Sequence, residues 1–217
     1  PTLGQLLKAA GRSYATMSAG TSGGGRLINH SAEADGTFRF AMRRPEAGHP
    51  TGISDAITAR LGPLPDYYLP AIDWIRYAAD IYLEVMEEDV RADVSLVWFC
   101  EPDESFHHLG IGSPGALETI RHVDHQFGRI LDHHADAIRS GDLQIIAMSD
   151  HGQITLRGEA LDITGELKSA GFRAGTRFDG DTDLIFAGSN AGGIWVKDND
   201  PALTERVTAW LLDQDWC

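Results

Sequence analysis

The sequence predicts an α/β fold built on a mostly parallel sheet with helices on both faces, and three observations lead there. Segments 94–100 and 144–148 are near-continuous apolar runs rather than alternating ones, the pattern of strands buried on both faces. A long helical pattern at 115–139 lies between them, so the three read as a right-handed βαβ unit. Both runs empty into motifs of carboxylates and imidazoles, and open α/β sheets bind ligands outside the carboxyl ends of their strands.

The remaining elements follow in order. Thr2 caps a helix carrying Leu3, Leu6, Leu7 and Ala10, stopped at Gly11. A strand at 13–18 leads to the glycine-rich stretch 19–26. With no Lys-Ser/Thr pair at phosphate-loop spacing, that stretch reads as a flexible surface connection. A short strand at 37–42, a Pro/Gly/His-rich loop at 45–52 and a short helix from Ser54 come next. From 70 to 89, Ile72, Ile75, Ala79, Tyr82, Val85 and Met86 recur at helical spacing, opposite Asp73, Arg76, Asp80, Glu84 and Glu87. Past the βαβ unit, a helix is expected at 162–170, strands at 184–187 and 193–196, and a helix from Pro201 to about Gln214 with Asp200 as its cap.

At 217 residues and 42% hydrophobic, the chain is expected to fold as one α/β domain over 1–217, with a small strand-rich excursion at 172–200. A net charge of -14 argues against a nucleic-acid duplex or an anionic membrane as partner, while clustered carboxylates suit divalent cations. Two cysteines, Cys100 and Cys217, encode neither a disulfide framework nor a zinc module of cysteine pairs. No apolar run reaches the roughly 18 residues of a membrane span, and the first residues carry no signal-peptide pattern, so the chain reads as soluble. Its compartment stays open.

Asp103 and His107 are four residues apart, which puts them on one side of a helical turn with Cβ atoms about 5–6 Å apart. Asp150-His151 leaves the second apolar run. Either pair alone is a weak signal; both pairs at the carboxyl ends of neighbouring strands make a strong one. These four residues are the candidate metal ligands. His108 is expected to point away from them, and Glu101 and Glu104 to be surface acids. On the 115–139 helix, Leu117, Ile120, Val123, Phe127, Ile130, Leu131 and Ile138 read as the buried stripe. That leaves His122, His125 and His133, with their neighbours Asp124, Asp132 and His134, as a solvated face rather than a second metal site. Ser18, Thr21 and Ser22 lack a positioned base and are not taken as nucleophiles.

At these motifs the chain resembles the alkaline phosphatase superfamily, in its nucleotide pyrophosphatase/type I phosphodiesterase branch. The resemblance rests on Asp103-Glu104-Ser105-Phe106-His107-His108-Leu109-Gly110 followed by Gly112-Ser113-Pro114, on Val123-Asp124 with Gly128, and on Ser149-Asp150-His151-Gly152. It is weaker over 3–30, which look like the segment following the nucleophile, and it fades after Gly171.

The resemblance implies an alkaline-phosphatase-like core, incomplete here. It also implies two divalent cations, zinc by preference with manganese as the alternative. One cation would fall to Asp103 and His107 and the other to Asp150 and His151, each short of a full ligand set and so weakly held. The implied activity is hydrolysis of a phosphodiester or nucleotide pyrophosphate through a covalent Thr or Ser intermediate supplied from outside these residues, making the chain a piece of a longer enzyme with little activity of its own. The implied substrate is a small phosphorylated molecule such as a nucleotide. The alternatives are other chemistry of the superfamily (phosphomonoesterase, phosphonoacetate hydrolase, phosphoglycerate mutase, sulfatase) and a non-catalytic module with a degenerate metal site.

Overall fold

In the computed structural model, which describes residues 1–188 and 191–217, strand β1 (Tyr14–Ser18) is the element around which the first half is built. All five of its residues are buried. It pairs in parallel with β2 (Phe38–Ala41) on one side and β3 (Val94–Trp98) on the other, giving the order β2-β1-β3. A central parallel strand has neighbours on both edges and both faces, which is why Ala15, Thr16, Met17 and Ser18 pack with no alternation. The α/β class expected from the sequence is the one observed.

The chain divides into two compact units, Pro1–Thr155 and Leu156–Cys217. In the first, α1 (Leu3–Ala9) begins at a capping box in which Thr2 and Gln5 bond each other's backbone N–H. The glycine-rich stretch departs from the expected open connection. Thr21 caps a real helix, α2 (Ser22–Leu27), whose Gly25 lies so close to β2 that a Cβ there would come within 2.9 Å of the Ala41 side chain. These glycines serve close packing, a use that composition alone does not distinguish from flexibility.

Beyond α3 (Ala32–Asp35) and α4 (Ile53–Leu61), the expected long helix forms as α5 (Ile72–Ile81) continued by a π-helical segment, Tyr82–Val90. The segment closes where Arg91, in the left-handed region at φ 49°, donates its N–H to Met86 O at 2.8 Å. Trp74, Ala78, Ile81, Val85 and Met86 form the buried face and join Met17, Phe38 and Phe40 in one core. Each large side chain so covered contributes about 1.5–3 kcal/mol.

Three expectations for the βαβ unit are corrected. β3 is only half-buried along its length and ends at Trp98 rather than at 100, because β1 lines one of its edges and no strand pairs with the other among the described residues. The helix at 115–139 is two helices, α7 (Pro114–His133) and α8 (Ala135–Ser140), broken at His134. Its inward stripe is Ala116, Thr119, Gln126 and Ile130; Leu117, Ile120, Leu131 and Ile138 are exposed. Residues 144–148 form no ladder at all, with Ile146 82% and Met148 84% exposed, although Ile145 still touches the core. An apolar run becomes a buried strand only where a neighbour supplies hydrogen bonds and both faces are covered, and this run has neither here.

In the second unit, α9 (Ile163–Ser169) and α10 (Pro201–Leu212) accompany a small sheet. There β4 (Ala174–Gly175) runs parallel to β5 (Leu184–Gly188), which runs antiparallel to β6 (Gly192–Val196). Leu167, Ala174, Leu184 and Val207 are its core, and Asp200 caps α10 through the N–H groups of Ala202 and Leu203. Among the described residues, no helix is long and apolar enough to cross a membrane.

Candidate metal centre

β3 hands the chain to the site through a sharp redirection. Cys100 takes the left-handed conformation at φ 66°, uncommon for a residue with a Cβ, and after Pro102 the short helix α6 (Asp103–Leu109) begins. Pro102 has no side chain able to cap it. Glu101 does the work instead: its carboxylate accepts from Ser105 N (3.1 Å) and Ser105 Oγ (3.1 Å), and more distantly from Ala71 N (3.4 Å). Burial pushes the Glu101 carboxyl up from its ordinary value, while the hydrogen bonds from Ser105 and Ala71 pull the other way. Glu101 is therefore a buried structural acid, not the surface group expected.

Glu104 is also tied inward. It pairs with Arg43 at 3.0 Å, and the Arg43 guanidinium lies 4.0 Å over the Tyr67 ring. Arg43, Tyr67, Trp74 and Cys100 line a narrow cleft beside α6. Burial pushes the Tyr67 phenol up to about 12 and the Cys100 thiol up to about 11, so neither is ionised at neutral pH. His108 turns to Glu104 (Nε2 to Oε2, 3.7 Å) and away from the other motif, as expected from its place on the helix.

Asp103, first residue of α6, faces His107 one turn on, with Oδ1 3.4 Å from Nε2. The same oxygen is 3.7 Å from His151 Nε2, so the two distant motifs meet at one carboxylate. Asp150 is the outermost of the four: its Oδ2 is 3.8 Å from His151 Nε2, its other oxygen accepts from the His151 N–H at 3.1 Å, and its side chain is 61% exposed. His151 Nδ1 lies 3.1 Å from Gly152 O. A carbonyl can only accept, so Nδ1 carries a proton and Nε2 is the ring nitrogen that faces Asp103.

Gln153, which the sequence reading passed over, donates from Nε2 to Asp103 Oδ1 at 2.7 Å. Its signal was position: it follows Gly152 by one residue and shares the segment that carries Asp150 and His151.

The separations of 3.4 to 3.8 Å exceed the roughly 2.7–2.9 Å of a charge-assisted hydrogen bond. Within the two expected pairs, 3.4 Å for Asp103–His107 and 3.8 Å for Asp150–His151, they compare with an edge of about 3.3 Å between donors on a tetrahedral ion with bonds near 2.0–2.1 Å. Carboxylate and neutral imidazole suit such an ion in donor type, and a ligating His ordinarily gives its other ring N–H to a carbonyl, as His151 does. The four do not close into one cage, however. Among the described residues, three donors all within 4.8 Å of one another occur only at Glu87, His133 and His134, elsewhere in the first unit. Of the expected solvated histidine face, His125 and His133 are exposed, but His134 is turned inward against Tyr82 and Glu87.

A sequence profile of type I phosphodiesterase / nucleotide pyrophosphatase matches residues 17–207. Among curated proteins, ectonucleotide pyrophosphatase/phosphodiesterase family member 7 of Mus musculus is 33% identical over 131 residues, covering 59% of this chain and 28% of the relative. Its Homo sapiens counterpart is 35% identical over 77 residues, covering 36% and 16% respectively. The chain thus spans under a third of the length of the curated relatives it matches. No solved structure matches.

Proposed function

The chain belongs to the type I phosphodiesterase / nucleotide pyrophosphatase family, in the alkaline phosphatase superfamily, and from that premise we propose that it supplies part of the active site of a metal-dependent phosphoric ester hydrolase. The substrate class is a small phosphodiester or nucleotide pyrophosphate. Asp103 and His107 would hold one divalent cation, Asp150 and His151 a second, zinc by preference for this mixture of carboxylate and imidazole. Such cations, when bound, act as Lewis acids on a phosphoryl oxygen and lower the pKa of a coordinated hydroxyl or water.

The single observation that carries the reading is the approach of His151 Nε2 and His107 Nε2 to the same Asp103 oxygen. The chain's own residues do the positioning. Glu101 fixes the first turn of α6 and with it Asp103. The Gly152 carbonyl fixes the tautomer of His151, and Gln153 spans from the second motif to Asp103. In this proposal the nucleophile is a Thr or Ser supplied from outside these residues. The 217 residues alone would then turn over little.

The test is hydrolysis of a p-nitrophenyl phosphodiester by the protein that contains this chain, supplied with zinc. Asp150→Ala should lower kcat/KM by at least about 100-fold, since loss even of a group behind a metal ligand costs about 10–100-fold. Undiminished turnover in that variant rejects the assignment.

A further inference from the structure

The contact between the π-helical segment and the α7–α8 break places three ligand-type side chains together, far in sequence from both motifs above. Adjacent residues inside a regular helix point about 100° apart and do not share a target. His133 and His134 escape this because α7 ends between them: His134 has φ −98° and ψ 9°, and the two rings meet edge to face with centroids 4.7 Å apart. Opposite them the π-helical segment presents Glu87, whose Oε2 lies 3.5 Å from His134 Nε2. π-helical turns concentrate at functional sites because their extra residue re-aims side chains.

We propose that Glu87, His133 and His134 form a binding site for one transition-metal dication, zinc in the first instance, that joins the end of the π-helical segment to the α7–α8 break. One ligand atom from each of the three lies within 4.8 Å of the others. The Glu87–His134 separation is too long for a charge-assisted hydrogen bond and near the roughly 3.3 Å edge of a tetrahedral zinc site. Two imidazoles and a carboxylate are a zinc donor set that leaves one position for water. His134 is 11% exposed in its side chain, and burial lowers its pKa further, keeping the ring in the neutral form that ligates.

Tyr82 explains how the site rests without metal. Its hydroxyl lies 2.8 Å from His134 Nε2 and, kept protonated by burial and the nearby Glu87 carboxylate, donates to that nitrogen in the tautomer that leaves Nε2 unprotonated. A metal ion takes the same lone pair. The site is independent of the phosphodiester reading and stands or falls separately.

The experiment uses the full chain carrying Asp103→Asn and Asp150→Asn, which removes the two carboxylates of the other candidate site, stripped with a chelator and titrated with Co2+ and then Zn2+. One equivalent of Co2+ should bind with visible absorption of a low-coordinate nitrogen/oxygen site and be displaced by Zn2+. Glu87→Gln and His133→Ala, both at positions with solvent access, should each weaken uptake at least tenfold, while Tyr82→Phe should bind as tightly or more so. Absence of uptake in the Asn background overturns the proposal. So does uptake that Glu87→Gln and His133→Ala leave unchanged, or that Tyr82→Phe abolishes.

Discussion

A carboxylate two residues ahead of Asp103 holds the turn on which Asp103 and His107 stand. Glu101 takes the N–H and hydroxyl of Ser105 in its two oxygens, a cap delivered from one residue ahead of Pro102, which stands at the N-cap and has no side chain to do so. Glu101→Ala should cost about 1–2 kcal/mol of stability, the range for losing a helix cap. It should also weaken metal uptake at Asp103 and His107 without touching a ligand. Chemical denaturation gives the first quantity and zinc titration the second; a variant with native stability and affinity would show that α6 is held by other contacts. The approach of His107 and His151 to Asp103 follows from motifs that the sequence displays, although only the first of them leaves an observed strand. Glu101 and Gln153 were not legible, since a glutamate beside a metal motif and a glutamine after a glycine look like ordinary surface until the backbone has turned at Cys100.

Among the elements, β1 and β3 are pinned at their starts by a knot that the sequence does not advertise. Asp93 accepts from Ser13 N (2.8 Å), Ser13 Oγ (2.7 Å) and Arg12 (2.9 Å), and its own N–H donates to Ser13 Oγ at 2.8 Å. The Ser13 backbone and side-chain hydrogen bonds, then that of Arg12, hold the Asp93 carboxyl at about 2, below its ordinary 3.8. A folded-state pKa below the unfolded one means the unfolded chain takes up the proton first. The contribution is therefore complete above about 3.8 and is lost as pH falls toward about 2. Asp93→Asn should flatten the acid limb of a stability–pH profile in that window and lower the plateau above it, as read from thermal unfolding at stepped pH. The buried strands and the long helices were readable from periodicity because β1, β2 and α5 meet their partners within the chain. The run at 144–148 carries the same pattern and fails to become a strand, which shows that an apolar run states a demand for partners rather than their presence. The stripe on α7 was misassigned in part: Ile130 is covered as expected, but Leu117, Ile120 and Leu131 are exposed while Ala116, Thr119 and Gln126 are covered.

For the whole molecule, the boundary between the two units falls at Thr155–Leu156, inside a stretch from Leu143 to Leu161 that has neither helix nor ladder. Backbone without secondary structure and with exposed side chains is where proteases cut first. Brief digestion with a broad-specificity protease should therefore nick within 143–161 and leave two fragments, of which the larger ends before Asp162; first cleavage inside α5 or α7 would contradict the arrangement. One last consequence concerns handling. Among the described residues no strand pairs with the outer edge of β3, and unpaired strand edges are of the kind that recruit a neighbouring molecule's backbone. The surplus of negative charge, -14 in all, stands against that recruitment by mutual repulsion. Colloidal behaviour should accordingly worsen with added salt, and dilute, low-salt buffers will keep preparations clear longest.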